Sequence, residues 1–210
     1  MPQLENLDMC MYDGVGQYRI PAIQPLYELP QINKWLEFEK AKNMRNKPKQ
    51  TGVHFFEYDF KFECVWNFPD RYAQTLSAYD CILAPDFSIY VNIPPALQIY
   101  NHYRKHWISA YWQDKGLTVI PVISWGFEDT FDWCFDGEPL NSIVAVSNVG
   151  CYQINELKDM WLKGYNEMLE RLQPSKILFY SNSYPEGLNG NIHFIKYNID
   201  KNIEVGETDD

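Results

Sequence analysis

The sequence lacks long apolar runs and is poor in basic residues, and each shortage excludes a class of protein. No stretch approaches the roughly 20 consecutive apolar residues of a membrane-spanning helix. The first residues show neither the basic start nor the apolar segment of a signal peptide. Lys and Arg total 18 against 28 Asp and Glu, for a net charge of −10. Long nucleic acids require a basic surface, so we expect no such partner, no membrane association and a cytoplasmic location.

Cysteine pairs and common catalytic motifs are also missing. The five cysteines contain no C-x-x-C pair and their number is odd, which argues against a disulfide framework or a zinc knuckle. We therefore expect reduced, mostly structural thiols. The sequence contains no Walker loop, no G-x-G-x-x-G and no G-x-S-x-G. It therefore gives no motif evidence for a phosphate-binding loop, a dinucleotide-binding site or the nucleophile of an α/β-hydrolase.

Apolar and aromatic residues are abundant instead. They make up 46% and 16% of the 210 residues, which is enough for a sizeable core. We find no Gly- or Ser-rich linker and no internal repeat. The composition predicts a single domain over residues 1–198 and a loose acidic tail over 199–210.

Strand-like and helix-like segments alternate along the chain. Segments with strand character lie at 20–23, 51–60, 81–84, 117–125, 141–150, 176–182 and 191–198, and helical spacing appears near 32–44, 69–79, 94–116 and 154–172. Strands such as VIPVIS and SIVAVS are continuously apolar, which indicates burial on both faces. The fold prediction is therefore α/β, with a mostly parallel sheet and outer helices, as a small or incomplete TIM-like barrel.

Polar residues follow most of the predicted strands. In a parallel α/β fold the carboxyl ends of the strands share one side, where their loops converge on a common site. We take Asp86 and Asp59 as candidate catalytic carboxylates. Turn formation or helix capping explains such residues equally well, above all at Ser181. The candidate ligand-binding residues are Ser88, Ser124, Trp125, Trp133, Ser147, Asn148 and Ser181.

The acidic, aromatic loop 126–140 and the histidines give weaker signals. The loop rings either pack into the core, which we favour, or form a stacking wall for a planar ligand. Carboxylates there suit magnesium or manganese, but no calcium-loop spacing is present, so we assign no metal ligands and leave the cofactor unknown. His102 and His106 share a helix face without the H-E-x-x-H pattern. Arg104 and Lys105 on the same helix either reach a phosphate or carboxylate or lie on the surface, and we favour a surface position.

Several blocks resemble a family of uncharacterised bacterial and phage proteins, the domain of unknown function DUF4417. The resembling blocks are residues 20–23, 53–72, 83–125, 131–150 and 164–181, which together span most of the chain. The family carries no established reaction. The resemblance therefore implies a phage or mobile-element context and no mechanism.

A second and much fainter resemblance is to the TIM-barrel fold of tRNA-guanine transglycosylase-like enzymes. Asp86 with Ser88, VIPVISWG at 119–126 and VSNVG at 146–150 are similar in order and spacing. Phe87 separates the acid from the serine, and the zinc-binding cysteines of those enzymes are absent. The resemblance implies that Asp86 attacks or stabilises an anomeric carbon, since the transition state of such a reaction is cationic.

Three functional hypotheses remain open at this point. The first is an enzyme that acts on a nucleoside, nucleotide or glycosidic substrate, either as a glycosidase or transglycosylase or as a nucleotide-acting hydrolase. The second is a non-catalytic protein that sequesters a host factor or a signalling nucleotide, because aromatic side chains anchor interfaces. The third is a homo-oligomer that buries the Tyr- and Trp-rich helix 96–114 between subunits.

Overall fold

The computed structural model describes residues 4–149, 155–183 and 187–196. In chain order the elements are β1 (Lys34–Glu37), α1 (Phe38–Asn43), β2 (Thr51–His54), α2 (Cys64–Asn67), α3 (Pro69–Leu76), β3 (Cys81–Leu83), α4 (Pro95–Asp114), β4 (Val119–Ile120), β5 (Ile143–Ser147), α5 (Asn155–Leu172), β6 (Lys176–Ser181) and β7 (Ile192–Lys196). Short 3-10 helices cover Asp59–Lys61 and Glu128–Asp132. Cys151 and the tail at 199–210 lie outside the described residues.

The strands form two parallel sheets whose strand order follows the chain order. One sheet runs β1-β2-β3-β4 and the other β5-β6-β7. A parallel bridge between Val122 and Ala145 joins the sheets just beyond β4. Two backbone hydrogen bonds support it, from the amide of Ile123 to Ala145 and from the amide of Ala145 to Pro121. The predicted α/β class with a parallel sheet is confirmed.

The joined sheets curve towards each other, because side chains of β2 and β6 meet. The ring of His54 lies 4.7 Å from that of Tyr180, and Phe56 stacks on Tyr180 at the same distance. A curved parallel sheet with its strands in chain order is the arrangement found in part of a barrel. A closed barrel would also pair β7 with β1, and the described residues show no such pairing. Closure into the expected TIM-like barrel is therefore not established.

Two clusters of buried apolar residues lie against the sheets. The larger cluster packs β1–β4 against the aromatic side of α4, where Trp107 and Trp112 are fully buried. The second packs β5 and β6 against α5 and the loop 126–140, through Trp161 and Phe179. None of the described helices combines the length and the apolar character needed to cross a bilayer.

The start of the chain differs from the expected helix over 32–44. Residues Lys34–Glu37 form β1, which pairs in register with Thr51–His54, and the helix begins only at Phe38. The ring of Trp35 lies directly over Gly52, a close approach that a side chain at that position would block. Pairing with a strand far along the chain outweighs the helical spacing here. Residue Ile20 forms only an isolated antiparallel bridge with Val15.

Helix α4 buries polar side chains as well as aromatic ones. It begins after Pro94 and ends before Gly116, whose φ of +83° suits glycine. The expectation that Arg104 and Lys105 lie on the surface is wrong, since they are 8% and 0% exposed. The buried polar residues of α4 are Gln98, Asn101, His102, Arg104, Lys105, His106 and Ser109.

The packing of α5 on the second sheet yields a stability prediction. A Cβ atom at Gly164 would lie 2.2 Å from the indole of Trp125. Gly164→Ala should therefore lower the free energy of unfolding by about 1–3 kcal/mol, as overpacking does, although alanine favours a helix. Chemical denaturation measures the change. Asn166→Ala, at an exposed position of the same helix, is the control and should be neutral or stabilising. A Gly164→Ala protein as stable as the wild type would contradict this packing.

Candidate functional site

Asp86 lies in the loop that follows β3, with one carboxylate oxygen inside the protein. The buried residues Ala84 and Pro85 lead the chain out of the sheet, and Asp86 itself is partly exposed. Its Oδ1 is fully buried and has no hydrogen-bond partner, while Ser124, at the end of the β4 segment, is close enough to its carboxyl group to lower the pKa. A buried oxygen without a partner is energetically costly unless a proton or a ligand satisfies it.

Burial changes the acidity of this carboxyl group. Loss of solvent raises the pKa of Asp86 to about 7, and the negative charges of Asp59 and Glu138 act in the same direction. The positive charge of Lys105 and the contact with Ser124 offset only part of this rise. Asp86 is consequently poised to gain or lose a proton near neutral pH, which is the property that general acid–base catalysis requires.

Asp59 is held close to this loop by Ser88. The hydroxyl of Ser88 donates to Oδ1 of Asp59 at 2.7 Å, and its backbone amide donates to Oδ2 at 3.1 Å. The backbone oxygen of Ser88 in turn accepts a hydrogen bond from Asn101 of α4 at 2.7 Å. Arg104 donates to Asn101 and to Glu63, and its guanidinium lies 4.1 Å from the ring of Phe87. The loops after β2 and β3 are thus tied to α4.

A buried ion pair extends this polar network inwards. The ammonium of Lys105 donates to Glu138 at 2.9 Å and to the backbone oxygen of Val122 at 2.7 Å, and lies 3.4 Å from the hydroxyl of Ser124. Burial alone would raise the pKa of Glu138, but Lys105 and then His106 outweigh it and hold that pKa below its usual value. Lys105 and Glu138 thus form an ion pair that is shielded from solvent.

Two histidines of α4 complete the cluster around Glu138. Nε2 of His106 lies 3.0 Å from Oε1 of Glu138, and its Nδ1 lies 2.8 Å from the backbone oxygen of Pro21. His102 contacts the backbone oxygen of Asp136 through Nε2. Burial, and then the charges of His106 and Lys105, lower the pKa of His102 well below its usual value. Within the described residues, His102, His106 and Glu138 form the one group whose ligand atoms are close enough to share a metal ion.

The predicted serines and asparagine at the later strand ends lie elsewhere. Ser147 caps its own turn, accepting the amide of Val149, and its backbone oxygen accepts the indole N–H of Trp161. Asn148 follows it and is partly exposed. Ser181 is buried, and its hydroxyl accepts a hydrogen bond from the amide of Ser183, which is the turn-forming role expected of it. The structure brings Asp59, Asp86, Ser88 and Ser124 together, and it shows no contact of these with Ser147, Asn148 or Ser181 among the described residues.

The two predicted tryptophans are buried. Trp125 packs on Trp161 with ring centroids 5.7 Å apart, and Trp133 meets His102 edge-on at 5.6 Å. Both are less than 9% exposed. Phe131 and Phe135 of the acidic loop are buried as well, whereas Phe127 is exposed. In this structure the rings of the loop mainly fill the core.

Two of the open grooves on the described part of the chain lie near the loop 126–140. One, of about 600 Å³, lies between residues 22–27 and the segment 135–140. The other, of about 790 Å³, lies between the acidic loop and the first turns of α5. Neither is lined by Asp59 or Asp86, so neither coincides with the ligand pocket expected at the strand ends.

Lys105 and Glu138 were not predicted as members of the cluster. Lys105 is flanked in its helix by Arg104 and His106, and such a run of charged and polar residues is typical of a solvated face. Glu138 was one acid among five in a loop. The only available signal was the helical spacing of His102 and His106, which places them on one face without identifying the third partner.

The fold and the cluster together define a parallel α/β protein in which ionisable side chains lie close together beneath the loops at the carboxyl ends of the strands.

Residues 12–198 match the model of the domain of unknown function DUF4417, and the chain belongs to that family. It is 36% identical to the Gene 1 protein of Mycobacterium phage L5 over 177 residues, which are 83% of this chain and 76% of that protein. It is also 36% identical to the Gene 1 protein of Mycobacterium phage D29 over 181 residues, covering 83% of this chain and 64% of that protein. No solved structure gives a significant match.

The buried ion pair gives a direct test of the cluster. Lys105→Met should lower the free energy of unfolding by about 3 kcal/mol or more, because Glu138 keeps a buried charge and loses its main partner. Denaturant titration gives the value. Lys163→Met is the matched control, since the same substitution there removes only an exposed partner of Glu128 and should change stability little. Equal effects of the two substitutions would show that Lys105 is not held as described.

Proposed function

We propose that this protein is an enzyme that cleaves or exchanges a glycosidic bond of a nucleoside, nucleotide or related sugar substrate, with Asp86 as the acid. The observation that carries the proposal is the unpartnered, buried Oδ1 of Asp86 beside Ser124 and the charged pair of Lys105 and Glu138. Residues with strongly perturbed acidity and an unsatisfied polar atom concentrate at functional sites.

Two carboxyl groups in different surroundings support this chemistry. Burial raises the pKa of Asp86 to about 7, so that its protonated form is well populated at neutral pH, whereas Asp59 accepts two hydrogen bonds from Ser88. In the proposed reaction, Asp86 gives its proton to the leaving nitrogen or oxygen as the glycosidic bond breaks. Asp59 stabilises the positive charge that develops on the sugar, water adds to the sugar carbon, and the proton released by the water returns to Asp86.

Exposed aromatic rings next to Asp59 support a planar substrate. Tyr58 and Phe60 are 66% and 76% exposed and stack on each other with centroids 5.8 Å apart. Such rings provide surfaces on which a base or a sugar face packs. Because they flank Asp59 in sequence and space, the proposal places the substrate over the 3-10 turn Asp59–Lys61.

A non-catalytic binding protein is the second candidate. The same exposed rings, with Tyr90 at 49% exposure, would serve as anchors for a host protein or for a signalling nucleotide. This candidate requires a partner to be retained without chemical change. The experiment on turnover separates the two candidates.

The enzymatic proposal predicts a product that depends on Asp86. The protein is incubated with a panel of nucleosides, nucleotides and glycosides from pH 5 to 9, and products are followed by chromatography with mass spectrometry. Asp86→Asn should lower turnover at least about 100-fold, since it removes the acid. Activity of the wild type should fall as pH rises above about 7, where Asp86 loses its proton.

Asp132→Asn is the matched control, because Asp132 is an exposed acid of the loop 126–140. It should retain full turnover, and circular dichroism should show that both variants are folded. Undiminished turnover by Asp86→Asn would contradict the assignment of the acid. Retention of a panel compound by the wild type with no product would instead favour the binding protein.

A further inference from the structure

The cluster of His102, His106 and Glu138 has the arrangement of a metal site. We infer that these three side chains bind one divalent transition-metal ion of the zinc type. One candidate ligand atom from each residue lies within 4.8 Å of the other two, and all three residues are buried. Two imidazoles and one carboxylate are a donor set that suits zinc and neighbouring divalent ions. The inference is independent of the proposed glycosidic chemistry.

The hydrogen bonds of the histidines leave the appropriate lone pairs available. A backbone carbonyl oxygen only accepts, so the nitrogen that faces it must carry the hydrogen. Nε2 of His102 therefore donates to Asp136, and Nδ1 of His106 donates to Pro21. This leaves Nδ1 of His102 with a buried lone pair and no partner. Fixing one ring nitrogen to a carbonyl while the other binds the ion is the usual second-shell arrangement of metal-bound histidine.

In the carboxylate of Glu138, too, one atom is held by a hydrogen bond while the other is left without a partner. Its Oε1 is 2.9 Å from the ammonium of Lys105, whereas its Oε2 is buried and has no hydrogen-bond partner. In addition, Nε2 of His106 lies 3.0 Å from Oε1, so the imidazole and the carboxylate face each other at close range. A cation bound between the three side chains satisfies Oε2. Lys105 then holds the carboxylate in place as a second-shell partner.

The segment that carries Glu138 borders an open groove and brings a second carboxylate near the cluster. Asp136 and Glu138 both line this groove of about 600 Å³. The carboxylate of the partly exposed Asp136 adds negative charge close to His106. Gly137 lies between them with a φ of +75°, and a Cβ atom there would come within 2.9 Å of Nδ1 of His106. The segment 136–138 therefore packs so closely on His106 that only glycine fits at position 137.

Metal titration of the full chain tests the inference. After removal of metals with a chelator, the wild type should bind one equivalent of Zn²⁺ by calorimetry, and Co²⁺ should give visible d–d absorption. His102→Gln and Glu138→Gln should each weaken Zn²⁺ binding at least about tenfold. His193→Gln, at an exposed position of β7, is the matched control and should bind as the wild type does. Failure of the folded wild type to bind an equivalent would overturn the inference, as would unchanged binding by both variants.

A second measurement avoids dependence on the folding of the variants. X-ray absorption of the zinc-loaded wild type should show nitrogen and oxygen ligands with the outer-shell scattering of two imidazoles. Zinc–sulfur scattering would overturn the inference, because it would place the ion on cysteines. Coordination by oxygen alone would overturn it as well.

Discussion

The buried ammonium of Lys105 is the interaction on which the polar interior depends. It neutralises Glu138 and donates a hydrogen bond to the backbone oxygen of Val122. It also lies 3.4 Å from the hydroxyl of Ser124, which is next to Asp86. A charge in the protein interior is tolerated only with close partners. The loop after β4 and the segment around Glu138 therefore meet α4 at this place.

The charges around Lys105 also divide the cluster into two parts with different chemistry. Towards the carboxyl ends of β2 and β3, the carboxyl groups of Asp59 and Asp86 differ in hydrogen bonding and in burial, which suits an acid and a charged partner. Towards the segment 136–138, unpaired lone pairs of His102 and Glu138 suit a cation. The proposed catalytic part and the inferred metal site share one helix, so α4 supplies both with fixed side chains.

The sequence predicted the parallel α/β class, because continuously apolar strands are buried on both faces. It also predicted one common site at the strand ends, of which the structure brings Asp59, Asp86, Ser88 and Ser124 together but shows no contact of these with Ser147, Asn148 or Ser181 among the described residues. It did not predict β1, since the pairing of Lys34–Glu37 with Thr51–His54 depends on a distant strand. It placed Arg104 and Lys105 on the surface, because helical charge is ordinarily solvated and their partners, Glu63 and Glu138, lie 41 and 33 residues away. Partners at such separations are set by the tertiary fold and leave no local pattern.

The acidity of Asp86 connects the buried charges to the proposed chemistry, and it can be measured directly. Carbon-13 NMR of the side-chain carboxyl group, assigned with Asp86→Asn, follows its protonation as the pH changes. The account predicts a midpoint near pH 7, because burial and the neighbouring carboxylates outweigh Lys105. A midpoint near the ordinary aspartate value of 3.8 would contradict it, since Asp86 would then be a solvated carboxylate with no proton to give at neutral pH.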